Sequence, residues 1–183
     1  HYTDPAIAAA MWDALERAGF DSGRVLEPGA GSGTFIALAP DDAVMVGVEK
    51  DAVTAEVAHL LNPHAQIRLE GFEVTNVPER SFDAVIGNVP LGKFSIPDPI
   101  WNAQNHSIHN AFLLKSLHLT EPGGWVMAIT SAGTLDAEGR RSREAIAEVA
   151  DLVGAVRLPT DAFKDVAGTS VVTDILMFRR LDG

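Results

Sequence analysis

A chain of 183 residues with a hydrophobic fraction of 46% is long enough to bury one sizeable core, and it fits a single globular domain over its whole length. It has no cysteine, no signal peptide and no apolar run near the roughly 18 residues that span a bilayer, which excludes disulfides, cysteine-ligated zinc, a thiolate nucleophile and a membrane anchor of that kind. With 25 acidic against 14 basic residues the net charge is −11, so the chain as a whole repels nucleic acid; a polynucleotide substrate needs a local basic rim or segments outside this sequence.

In chain order, residues 5–18 place Ile7, Met11, Ala14 and Leu15 on one helical face. Residues 24–28 read as a short apolar strand, followed by a glycine-rich turn and a helix opening near Thr34. A strand over 43–49 leads to a helix over 51–61 with Asp51 as its N-cap. Residues 65–69, 82–87 and 125–130 are further buried-strand candidates. A helix over 109–119 stops before Pro122-Gly123-Gly124. A helix over 140–150, a strand over 153–158 and a β-branched strand over 169–178 complete the chain. Apolar strands alternating with helices predict an α/β fold, a parallel sheet covered by helices on both faces, with the last two strands paired antiparallel. Residues 91–107 form the longest stretch without a regular pattern, and a loop of that length is more often functional or mobile than merely connective.

The turn after the first strand reads Leu26-Glu27-Pro28-Gly29-Ala30-Gly31-Ser32-Gly33-Thr34. Glycine there lets the backbone approach a ligand, and the carboxyl end of the first strand of an open α/β sheet is where ligands bind. The second strand ends in Glu49-Lys50-Asp51, and a carboxylate at that tip can accept both hydroxyls of a ribose. The loop lacks GxGxxG spacing, since its glycines alternate. Glu27 repels a pyrophosphate but suits a cationic sulfonium and an amino group. Together these features point to S-adenosylmethionine rather than a dinucleotide.

The turn over 26–36 resembles the first motif of class I methyltransferases, and residues 46–51 resemble the second. His1-Tyr2-Thr3-Asp4-Pro5 is similar to the Tyr-Thr-Pro segment of adenine-N6 DNA methyltransferases, whose Thr and backbone contact the methionine end of the cofactor. Gly71-Phe72-Glu73 resembles the motif bordering the cofactor adenine, and Phe112 the aromatic that packs on that ring. The order of these motifs is that of the gamma group, which includes modification subunits of type I restriction systems. Gly87-Asn88-Val89-Pro90, Ser107-Ile108-His109-Asn110 and the run 153–159 look like segments of methylase domains in large helicase–methylase proteins of phages and mobile elements. The resemblance implies a Rossmann-like class I methyltransferase fold: a seven-stranded, mostly parallel sheet with an antiparallel last strand. It implies a cofactor site of Tyr2, Thr3, Glu27, Pro28, Gly29, Ala30, Gly31, Glu49, Lys50, Gly71, Phe72, Glu73, Asn88 and Phe112, with S-adenosylhomocysteine as product and no metal.

Asn88-Val89-Pro90-Leu91 ends the fourth strand, where the family usually has Asn-Pro-Pro-Tyr or Asn-Pro-Pro-Phe. The lone pair of an exocyclic amine is delocalised into its ring. Accepting its two hydrogens on the Asn88 side-chain oxygen and the Val89 carbonyl favours a pyramidal nitrogen aimed at a methyl group. Val89 in place of proline keeps that carbonyl but loosens the turn. Leu91 in place of the stacking aromatic removes a face worth roughly 1–3 kcal/mol per base. Phe94 or Trp101 can supply that face, and Phe163 lies where the family has a loop towards the target base, although packing is an equal role for it.

Other residues carry weaker signals. His106 and His109 lack a third ligand at metal spacing and fit helix-end contacts better. Lys93 and Lys115 are candidate phosphate contacts, although isolated lysines are usually solvated. Arg140, Arg141, Arg143, Glu144 and Glu148 read as a solvated helix surface.

The expectation is therefore a cytoplasmic S-adenosylmethionine-dependent enzyme that methylates adenine N6 in DNA. No segment is long enough for target recognition, and the chain begins at His1 and runs into its first helix. A fragment of a longer protein is expected, with a helicase or specificity domain elsewhere in the polypeptide or in a partner. Two alternatives stay open: a protein glutamine-N5 methyltransferase, since a carboxamide nitrogen poses the same problem, and a non-catalytic cofactor-binding or assembly module.

Overall fold

A computed structural model describes residues 2–160, 162 and 171–183 of the chain. Helix α1 (Pro5–Ala18) starts where the sequence can cap it: the Asp4 carboxylate accepts the Ala6 N–H at 2.8 Å, and Pro5 forfeits no hydrogen bond in the first turn. Ala8, Met11, Trp12 and Leu15 form its buried stripe, and the Trp12 indole donates to the Phe35 carbonyl at 2.9 Å.

Seven strands follow: β1 (Gly23–Pro28), β2 (Ala43–Glu49), β3 (Gln66–Leu69), β4 (Phe82–Asn88), β5 (Thr120–Ser131), β6 (Ala150–Arg157) and β7 (Thr173–Arg180). They form one sheet in the order β3-β2-β1-β4-β5-β7-β6, parallel except for β7, which runs antiparallel to both its neighbours. This is the architecture expected from the sequence. The helices are α2 (Thr34–Ala37), α3 (Ala52–Leu61), α4 (Ile108–Leu119), α5 (Gly133–Asp136) and α6 (Arg141–Ala147).

The apolar strand runs divide between two faces because alternate side chains point opposite ways. Leu26, Val85, Val126 and Leu176 pack with Leu113 and Leu117 of α4 and Ile146 of α6. Val25, Ala84, Ile86, Met127 and Ile129 pack with α1 and with Phe35 and Ile36 of α2. Each fully buried large side chain of this kind stabilises the fold by about 1.5–3 kcal/mol relative to exposure.

Several boundaries differ from the sequence expectation. The helix read as 140–150 ends at Ala147, and Ala150 already pairs with Arg180. The Leu181 N–H bonds to the Val149 carbonyl at 2.9 Å, so sheet pairing claims backbone that helical periodicity had assigned. The segment expected as a buried strand over 65–69 is the sheet edge β3, with exposed ends. β5 opens at Thr120, five residues early, because Pro122-Gly123-Gly124 makes an irregularity between the Phe82–Thr120 and Ala84–Trp125 pairs. The last strand begins at Thr173; positions 169 and 170, its expected start, lie outside the described residues.

The segment 91–107 is closed on itself by buried polar side chains. Asn102 donates to Ser95 Oγ (2.9 Å), the Ile96 carbonyl (2.9 Å) and the His106 carbonyl (3.2 Å), and accepts the His106 N–H at 2.8 Å. Asp98 Oδ1 accepts the N–H groups of Ile100 and Trp101 at 3.1 and 3.0 Å. Among the described residues no helix is long and apolar enough to cross a membrane.

Candidate active site

Chain order reverses about β1: β2 and β3 lie to one side, β4 and the rest to the other. Carboxyl-end loops part at such a switch point and leave a crevice. A cavity of about 250 Å³ fills it, lined by Gly29 and Gly31 after β1, Val48, Glu49 and Lys50 at the end of β2, and Glu70, Gly71, Phe72 and Glu73 after β3. Asn88 and Pro90 at the end of β4 form another wall, with Phe94, Ile96, Ile108 and Phe112 closing it.

The glycine loop is built for close approach. Gly29 and Gly31 take φ of +72° and +56°, conformations that side-chain-bearing residues rarely adopt. Glu49 holds the loop to the next turn: Oε2 accepts the Gly31 N–H at 2.9 Å and Oε1 the Asp51 N–H at 2.8 Å. Each carboxylate oxygen keeps a second lone pair, so hydroxyl donors can still bond to it. Asp51 caps α3 as the sequence indicated, accepting the Thr54 N–H at 2.8 Å, and that bonding with Thr54 holds its carboxyl below the usual range.

Glu27, next to last in β1, is buried and is not among the residues lining the cavity. Burial pushes its carboxyl well above the ordinary value, a backbone hydrogen bond at Ile36 opposes the shift, and Glu49 adds to it. Among the described residues its Oε2 has no hydrogen-bond partner. A buried carboxylate oxygen without a partner is costly, and a cationic group reaching it would remove that cost.

Across the cavity Phe72 and Phe112 lie tilted at 53° with ring centroids 4.9 Å apart. Ile108 stands one helical turn before Phe112 and lines the same wall. That i, i+4 relation was the signal by which the sequence could have nominated it. Glu70 and Ile96 are also wall residues that the motifs did not indicate.

At the end of β4 the Asn88 side-chain amide donates to Thr3 Oγ1 at 3.2 Å. Thr3 is buried, whereas Tyr2 is exposed and off the wall. Val89 is buried in the core, and its N–H donates to the Ile129 carbonyl at 3.0 Å, extending the β4–β5 ladder. A proline has no N–H to make this bond, so valine secures the turn that it was expected to loosen. Leu91 packs onto the core cluster instead of the cavity wall.

The candidates for a replacement aromatic separate cleanly. Phe94 lines the cavity and is 60% exposed. Trp101 instead stacks on His118, centroids 4.8 Å apart, in a groove beside α4 and α6. Phe163 lies outside the described residues. Lys93 is exposed. Lys115, a candidate phosphate contact, is 3% exposed and bonded to Asp98, Phe72 and Glu73, so it meets no solvent-borne phosphate.

His106 Nδ1 pairs with Ser142 Oγ at 2.8 Å and His109 Nε2 with Ser107 Oγ at 3.1 Å, helix-end contacts of the expected kind. Burial lowers the pKa of both rings. Among the described residues no three metal-ligating side chains gather.

No family model matches the chain. Over an alignment of 187 residues it is 33% identical to defense against restriction protein B of Escherichia phage P1; the match covers 98% of this chain, which spans only 8% of that curated relative's length. Its structure superimposes on a modification subunit assigned to a type I restriction enzyme of Vibrio vulnificus, with a TM-score of 0.79 and 21% identity, over 100% of this chain and 44% of the other. A protein of Listeria monocytogenes assigned as a class I S-adenosylmethionine-dependent methyltransferase gives a TM-score of 0.77 at 18% identity, over 97% of this chain and 59% of its own. The chain therefore has the Rossmann-like fold of class I methyltransferases.

Proposed function

We propose that this chain is the catalytic core of an S-adenosylmethionine-dependent methyltransferase acting on an exocyclic amino nitrogen, N6 of adenine in DNA. Target choice is made by other parts of a longer polypeptide, such as a helicase or specificity domain, or by a partner subunit. The observation that carries the reading is Asn88 at the cavity wall with its amide nitrogen engaged by Thr3, which leaves Oδ1 to accept a substrate N–H. The likeness to a restriction-enzyme modification subunit and to a phage protein named for defence against restriction supports a restriction–modification setting.

The residues present fit the cofactor. Glu27, whose Oε2 has no partner among the described residues, matches a cationic ammonium, Glu49 has lone pairs for two ribose hydroxyls, and Phe72 and Phe112 offer an apolar slot for a purine. Thr3, Pro28, Gly29, Ala30, Gly31, Lys50, Gly71, Glu73 and Asn88 complete the proposed site; Tyr2, exposed and off the wall, is left out of it. When bound, the cofactor supplies a methyl group on a sulfonium, ready for attack by a nitrogen lone pair. Asn88 Oδ1 and the Val89 carbonyl accept the two amine hydrogens, which keeps the lone pair out of the ring and directs it at the methyl carbon. With the cofactor held there, transfer would form the N–C bond as the C–S bond breaks, and one amine proton would leave to solvent. Phe94 stacks on the target base in place of the missing aromatic. A duplex base reaches this pocket only when flipped out.

Among the described residues the charged wall residues are Glu49, Glu70 and Glu73 against Lys50, with Glu70 paired to Arg68 at 2.6 Å. That balance attracts a cationic cofactor and gives DNA no electrostatic hold. The isolated chain is therefore expected to bind S-adenosylmethionine by calorimetry while methylating DNA weakly. A tritiated-methyl assay offering DNA, RNA and protein in parallel tests the substrate. Label on glutamine of a protein, or no cofactor binding at all, overturns the reading.

A further inference from the structure

Lys115 sits in the middle of α4, where a lysine is out of place: its side chain is 4% exposed and packed among apolar neighbours. Its ammonium has three acceptors, the Phe72 carbonyl at 2.6 Å, Asp98 Oδ2 at 3.0 Å and the Glu73 carbonyl at 3.4 Å. The Nζ also stands 5.0 Å from the centroid of the Phe72 ring. Asp98 spends its other oxygen on the Ile100 and Trp101 N–H groups. The pair thus joins three segments that meet at the cavity. Phe72 and Glu73 belong to one wall; Phe112, one turn before Lys115 on the same helix, belongs to another; Asp98 anchors the segment that presents Phe94 and Ile96.

We propose that Lys115 and Asp98 are a positioning pair that couples the aromatic wall of the cavity to the placement of Phe94, so that occupancy of the cofactor slot orders the substrate-facing segment. The inference rests on the methyltransferase reading of this cavity. The physical ground is the cost of the arrangement. A buried ion pair is often no better for stability than well-packed apolar residues, whereas removing one partner strands a charge. What the pair adds over apolar packing is direction: a short, charge-assisted link fixes the carbonyls of residues 72 and 73 relative to Asp98. A ligand wedged against Phe72 cannot shift that wall without moving the anchor of Phe94.

The test is hydrogen exchange by mass spectrometry on this chain, with and without saturating S-adenosylmethionine. In the wild type, ligand should slow exchange at residues 71–74 and also, tenfold or more, at 94–102. Lys115→Met strands Asp98, so the matched variant is Lys115→Met with Asp98→Leu, which replaces the pair by apolar groups. That double variant should keep the slowing at 71–74, keep its calorimetric Kd within threefold, and show less than twofold slowing at 94–102. Equal slowing at 94–102 in the double variant overturns the coupling, as does a wild type whose 94–102 amides ignore bound ligand. Phe94 and Ile96 line the cavity, so slowing in the wild type alone does not separate coupling from direct contact. Should the double variant fail to fold, Asp98→Asn is read in its place: it keeps an acceptor for the Ile100 and Trp101 N–H groups but removes the charge facing Lys115, and it should show the same loss of slowing at 94–102. A wild type that binds no S-adenosylmethionine removes the cofactor reading first, an outcome calorimetry separates from lost coupling.

Discussion

The side-chain amide of Asn88 donates to the hydroxyl of Thr3 at 3.2 Å, joining the end of β4 to the residue before the α1 N-cap across 85 positions of sequence. An unheld carboxamide can flip and present nitrogen instead of oxygen. Thr3 sets which atom faces the cavity. Thr3→Val, which keeps the shape and loses the hydroxyl, should lower kcat for methyl transfer about fivefold, the worth of one hydrogen bond near 1 kcal/mol. Thr3→Ser should retain most of the rate. A drop confined to cofactor KM, with kcat intact, would assign Thr3 to cofactor binding alone.

Val89→Pro restores the residue usual in the resembling family and deletes the N–H that bonds to the Ile129 carbonyl. The buried carbonyl then loses its partner, at a cost of about 1–3 kcal/mol. For a domain of this size that is roughly 2–4 °C of Tm per kcal/mol. Differential scanning calorimetry should show the decrease. An unchanged or raised Tm would mean that the turn does not depend on this bond.

Glu27 predicts two opposite pH dependences. Burial first, and Glu49 second, raise its carboxyl in the folded chain above the unfolded value, so the folded state holds the proton more tightly. Stability from this group is full below the unfolded carboxylate pKa and is lost as pH rises through the raised folded pKa. Glu27→Gln should therefore melt higher than wild type above that window and equally below it. A cationic ligand favours the ionised form, so wild-type affinity for S-adenosylmethionine should rise with pH through the same window, with proton release seen by calorimetry in buffers of different ionisation enthalpy. Equal proton release by Glu27→Gln and wild type would remove Glu27 from the binding equilibrium.

Of the two candidates for the stacking face, Phe94 lines the cavity and Trp101 does not. Phe94→Ala should raise the KM for the methyl acceptor or lower kcat by about five- to 150-fold, as expected for loss of roughly 1–3 kcal/mol of base stacking. Cofactor Kd should change little. Phe94→Tyr should retain activity, and Trp101→Ala should cost stability rather than turnover because its ring packs on His118. Reversed results for the two alanine variants would move the substrate face to the other groove.

The sequence by itself determined what depends on neighbouring residues. Strand and helix alternation, the glycine turn after β1, the Asp51 cap and the carboxylate ending β2 all follow from local pattern and backbone chemistry. Tertiary structure decided what depends on residues far apart in the chain. Pairing with β7 turned Ala150 from helix into strand, and the edge position of β3 exposed a run that looked like core. The meeting of α4 with residues 72, 73 and 98 turned Lys115 from an expected solvated cation into a buried link. Folding of 91–107 around Asn102 and Asp98 left Phe94 at the cavity and carried Trp101 to His118. The reason is common to all four. Periodicity reports which face of an element is apolar, but what lies against that face is set by the packing of segments that local sequence does not connect.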